Sequence, residues 1–71
     1  MDKYYLITNV SGQKYWNRLV TIDTAPGYLK TAINLTGQPI YVNERGGWFP
    51  MSAAKVVHEV IESNKFPKLN S

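Results

Sequence analysis

The chain has 71 residues, no cysteine and a formal net charge of +3, with 44% hydrophobic and 18% charged residues. That length sets a single domain, and the composition is too apolar for a disordered chain while holding no apolar run near the roughly 20 residues of a membrane span. Without cysteine there are no disulfides, thiolate zinc sites or thiol nucleophiles.

The N-terminal Met1-Asp2-Lys3-Tyr4-Tyr5 has neither the basic region nor the apolar stretch of a signal peptide, so a cytoplasmic location is expected. The sequons at Asn9 and Asn34 are read as chance matches for the same reason.

Residues 3–10 (KYYLITNV) are rich in Tyr, Ile, Thr and Val and predict a first strand, broken at Ser11-Gly12-Gln13. Residues 15–23 (YWNRLVTID) predict a second, with Trp16, Val20 and Ile22 inward. Thr24-Ala25-Pro26-Gly27 has the order of a type II turn. In residues 28–35, Leu29, Thr31, Ile33 and Leu35 alternate with Tyr28, Lys30, Ala32 and Asn34, which predicts a third strand. Residues 39–43 return as a fourth, with Ile40 and Val42 inward and Pro39 at its start.

After the turn at Glu44-Arg45-Gly46-Gly47, Ser52 is placed to cap a helix over residues 52–64, with Met51 and Val56 spaced as a hydrophobic staple. Ala53, Val56, Val57, Val60 and Ile61 make an apolar stripe at helical spacing. Asn64 and Pro67 end it, and residues 65–71 are expected to fray. The expected fold is one α+β domain over residues 1–71: an antiparallel meander of three to four strands, then a C-terminal amphipathic helix packed on one sheet face.

Catalytic groups are sparse. The single histidine, His58, lies one helical turn from Glu62, and His58-Glu59 lacks the second histidine of a zinc-protease motif, position 62 being Glu62. No serine has a glycine-framed elbow, and the five acids are scattered. Gly46-Gly47 is not followed by Lys-Ser/Thr and makes no phosphate loop. No enzyme, cofactor or metal is expected.

Binding is the better class. Nine aromatics exceed what a core lined by Val, Ile and Ala of one helix absorbs, and Tyr, Trp and Arg are the residue types enriched at interface hot spots. The candidate partner-binding residues are Tyr15, Arg18, Tyr28, Lys30, Tyr41, Arg45 and Trp48, with a protein partner favoured. Small proteins of phages and mobile elements that block or adapt a host machine share this plan.

Nucleic acid is the alternative, using Lys14, Arg18, Lys30 and Arg45 with interleaved Tyr and Trp on a sheet face. The charge argues against it. Residues 1–45 carry five bases and three acids, and residues 46–71 three bases and two acids, so the excess is spread along the chain despite a pI near 9.3. An edge strand, the first or the second, could also pair with a copy of itself to give a homodimer.

Overall fold

The computed structural model describes residues 2–8 and 11–68. Strands β1 (Asp2–Thr8) and β2 (Lys14–Val20) form a hairpin, and helix α1 (Gly27–Thr36) follows. Next come β3 (Ile40–Asn43), β4 (Trp48–Pro50), a 3₁₀ turn at Met51–Ala53 and β5 (Val56–Ser63). The five strands make one sheet in the order β4-β3-β2-β1-β5, and every neighbouring pair is antiparallel. The fold is therefore α+β, but the helix lies between β2 and β3 and not at the C-terminus.

Two expected elements are corrected. Residues 28–35, expected as a strand, are helical, because α1 buries Leu29, Ala32 and Ile33 at positions i, i+3 and i+4. Leu35, which alternation groups with Leu29 and Ile33, is 83% exposed. Pro26 opens the helix rather than a type II turn, its carbonyl accepting from the N–H groups of Leu29 and Lys30 at 3.0 Å. Gly37 closes it with φ of 70°, donating its N–H to the Ile33 carbonyl at 2.7 Å. The pairing expected between residues 28–35 and 39–43 is consequently absent, and β3 pairs with β2 instead.

Residues 52–64, expected as a helix, hold the end of the 3₁₀ turn and then β5. Four of the eight β5 residues are β-branched Val or Ile, which favour the pleated surface. Tyr5 pairs with Val60 and Ile7 with Val57, so a step of two residues in β1 meets a step of three in β5. His58 and Glu59 form that bulge, and its odd step is what imitates helical spacing in the sequence. Ser52 caps no helix; its N–H donates to Oε1 of Gln38 at 2.8 Å, while Met51 is 45% exposed.

The remaining boundaries differ less. β2 ends at Val20, and Ile22, expected inward, is 42% exposed in the turn that follows, whereas Trp16 and Val20 are buried. Positions 9 and 10 of the expected first strand lie outside the described residues. Phe66, in the segment expected to fray, packs edge-on against Tyr4 with ring centroids 4.7 Å apart. The end of that segment, residues 69–71, also lies outside the described residues.

Register fixes the two faces of the sheet, since directly paired residues share a face. Val20 pairs with Ile40, and Arg18 with Val42 and Tyr4. On this face Val20, Ile40 and Val42 join Ala25, Leu29, Ala32 and Ile33 in one buried cluster, which seats α1. Each fully buried Leu or Ile contributes about 1.5–3 kcal/mol to that packing. No described helix is long and apolar enough to cross a membrane.

Candidate functional site

The face of the sheet turned away from α1 is aromatic. Tyr5 pairs with Asn17, Asn17 with Asn43, Leu19 with Tyr41, and Tyr41 with Phe49. The Tyr5 and Tyr41 rings meet at 5.5 Å between centroids with 67° between planes, and the Tyr41 and Phe49 rings at 5.7 Å and 42°. These separations fall in the range where aromatic pairs attract beyond their buried area. Three strands thus present a contiguous row of rings. Tyr41 is buried at its centre, Tyr5, Phe49 and Leu19 are half-buried, and Val60, paired with Tyr5, is 48% exposed.

The floor of the row is polar. Asn17 is completely buried; its Nδ2 donates to the Tyr15 carbonyl at 2.9 Å, and its Oδ1 has no partner among the described residues. Burial raises the Tyr41 pKa above the ordinary tyrosine value, and the neighbouring Tyr5 adds to the shift.

A cation rims the face. Asn43 Oδ1 accepts from the N–H groups of Arg45 and Gly47 at 2.9 and 3.0 Å, and Gly46 takes a φ of 88° that favours glycine. This tight turn sets the Arg45 guanidinium 5.8 Å from the Tyr15 ring centroid, within cation–π range. The Tyr15 hydroxyl donates to Gln13 Oε1 at 2.7 Å.

Of the sequence-derived candidates, the structure sets Tyr15 and Tyr41 on this one face, with Arg45 over the Tyr15 ring, and places the other four elsewhere. Arg18 lies on the helix-bearing face, 3.7 Å from Asp2 and with its guanidinium 5.9 Å from the Phe66 ring. Tyr28, 75% exposed, and Lys30 lie on the solvent side of α1. Trp48 is 41% exposed and pairs with Val42, which sets it on the helix-bearing face at the β4 edge. Tyr5, Leu19, Phe49 and Val60 are the residues that sequence reasoning missed. Phe49 alternates with Trp48 and Tyr5 with Tyr4, but choosing between neighbours needs the strand pairings.

The four cations of the nucleic-acid alternative are dispersed. Lys14 and Arg18 share the strand phase of the helix-bearing face, Lys30 sits on the outer surface of α1, and Arg45 lies over Tyr15. His58 hydrogen-bonds through Nε2 to the Thr8 hydroxyl, and Glu62, which a helix would set beside it, pairs across the sheet with Lys3. Among the described residues no three His, Asp or Glu side chains converge as a bound metal requires.

The chemistry available on the aromatic face is ring stacking, phenol hydrogen bonding and one guanidinium. Comparisons of the chain with protein-family models, curated proteins and solved structures return no match.

Proposed function

We propose that this protein is a non-catalytic binding module that acts stoichiometrically on a macromolecular partner, in the manner of a small inhibitor or adaptor, and that the partner is a protein. The observation that carries this reading is the row Tyr5–Tyr41–Phe49 with Arg45 stacked beside it over Tyr15. Rings held on strands offer large rigid area at little entropic cost, and Arg and Tyr supply polar handles at its edge. The action is occlusion: the face covers a working surface of the partner.

A protein is favoured over nucleic acid because the cations do not gather on the aromatic face. Arg45 is the one basic residue stacked on a ring there, and Arg18 is already engaged by Asp2. A phosphate-binding surface concentrates its bases on one side.

The test is affinity capture with the wild-type chain and with Tyr5→Ala and Arg45→Glu variants, using Tyr28→Ala and Lys30→Glu on the outer side of α1 as controls. The aromatic-face variants should lose the captured protein and the controls should keep it. Capture lost equally in both sets sinks the aromatic face as the site. Binding of duplex or single-stranded nucleic acid that weakens steeply with salt would favour the alternative.

A further inference from the structure

The two edges of the sheet are unlike. β4 has three residues and ends at Pro50, which has no backbone N–H, so that edge is short and blocked. β5 has eight residues and no proline, and no described strand pairs with its outer side. Strands β1 and β2, the edges expected from sequence for self-association, are interior.

The sequence along the open edge is complementary to its own reverse. From residue 55 it reads Lys, Val, Val, His, Glu, Val, Ile, Glu. Set antiparallel to a second copy and centred between positions 58 and 59, Lys55 stands opposite Glu62, Val56 opposite Ile61, Val57 opposite Val60 and His58 opposite Glu59. Base meets acid and apolar meets apolar in all four of these pairings, Lys55 standing one residue before β5. Charges on an edge strand ordinarily repel foreign strands. Here their antisymmetric order makes the same charges attract a copy.

The bulge makes this register geometrically possible. In a regular strand successive residues alternate faces, so a two-fold axis perpendicular to the sheet can pair only residues an even number of positions apart. Val57 and Val60 are three apart, and Lys55 and Glu62 seven. The extra residue at His58-Glu59 removes the conflict: positions 57 and 60 stand opposite Ile7 and Tyr5, which are themselves two apart on β1. The bulge lies at the centre of the charge pattern, where the symmetry axis must pass.

We propose that β5 is a homodimerisation edge: two copies join their β5 strands antiparallel about a two-fold axis at His58-Glu59, continuing the five-stranded sheet of one copy into that of the other. The axis places both aromatic faces on the same side of the joined sheet, so a partner of the proposed binding face would meet it twice. The inference stands on the edge and the bulge, independently of what the aromatic face binds.

Lys55 and Glu62 are both exposed, so reversing either charge leaves the core untouched. Sedimentation velocity over a range of concentrations should show wild-type protein passing from monomer to dimer. Lys55→Glu and Glu62→Lys should each weaken the dimer about tenfold, because each turns two attractive pairs into repulsive ones. An equimolar mixture of the two variants should recover association, since Glu at 55 of the first then faces Lys at 62 of the second, and the unchanged Glu62 of the first faces the unchanged Lys55 of the second. Circular dichroism of each variant confirms that it folds. A wild type that stays monomeric, a dimer indifferent to either reversal, or a mixture no better than its components would overturn the proposal.

Discussion

Tyr5 and Tyr41 reach toward each other from two strands separated by a third, their rings edge to face at 5.5 Å, with Asn17 on the strand between them. A short side chain at position 17 leaves the space in which the two long ones meet. The contact ties β1 to β3 on the face that α1 does not touch, so the candidate binding row is part of the sheet's own packing. This makes it rigid, and it also makes Tyr41 a poor probe of binding, because truncating a buried ring damages the fold.

Asn17 is the first place to test that packing. Its Oδ1 is buried without a partner, a group whose desolvation costs about 1–3 kcal/mol. Asn17→Leu removes that acceptor and the bond to Tyr15 together, so its stability by urea unfolding should lie within about 1 kcal/mol of wild type. Asn17→Asp places an uncompensated carboxylate there and should lose about 3 kcal/mol or more near neutral pH. Burial raises the carboxyl's pKa above its unfolded value, so the loss should shrink as pH falls and the group takes up a proton.

The strand character of β1 and β2, the inward Trp16 and Val20, and the inward Ile40 and Val42 were legible in the sequence, because residue type and burial agree there. The exchange of helix and strand between residues 28–35 and 52–64 was not, for a reason of arithmetic. Leu29 and Ile33, like Val57 and Ile61, are four residues apart, a separation in phase with a period of two and nearly in phase with 3.6. Ala32 on one side and Leu35 on the other decide the first segment, and Ala32 is small enough to pass for a surface residue. The second was decided by a bulge, which no single-strand pattern announces. Of the candidate site, Tyr15, Tyr41 and Arg45 were reachable from composition, whereas Tyr5 and Phe49 required the pairing of β1 with β2 and of β3 with β4.

The helical phase of residues 27–36 separates two leucines that a strand would treat alike. Leu29 is 1% exposed within the α1 cluster and Leu35 is 83% exposed. Leu29→Ala should cost about 2–4 kcal/mol, and Leu35→Ala should stay within about 0.5 kcal/mol of wild type. Thermal and urea unfolding of the two variants side by side decides it; equal losses would restore the strand reading.

Alkaline pH should loosen the fold through Tyr4 and Tyr41. Burial raises both phenol pKa values above 10.0, with the charge of Asp2 adding to the first and Tyr5 to the second. In the unfolded chain both ionise near 10.0, so above that pH the folded state binds more protons than the unfolded state. Their stabilisation is therefore complete below pH 10.0 and is lost as pH rises through the folded values. Urea midpoints taken across that range should fall, and Tyr4→Phe with Tyr41→Phe should flatten the fall. A midpoint independent of pH there would mean that both rings ionise freely in the folded state.

The ends of α1 carry two glycines whose replacement by alanine should have opposite signs. Gly37 takes φ of 70° to cap the helix, and a Cβ built there meets nothing within 4 Å. The cost of Gly37→Ala is thus backbone strain alone, about 1–2 kcal/mol, and Gly37→Asn should recover part of it because asparagine tolerates the left-handed region. Gly27 begins the helix in ordinary backbone geometry, also with nothing within 4 Å of a built Cβ. Gly27→Ala therefore restricts the unfolded chain without straining the folded one and should stabilise by about 0.4–1 kcal/mol. Chemical denaturation of both variants reads the signs directly. Because the two sites lie at opposite ends of one helix and a Cβ at either meets nothing within 4 Å, the double variant should equal the sum of the two effects.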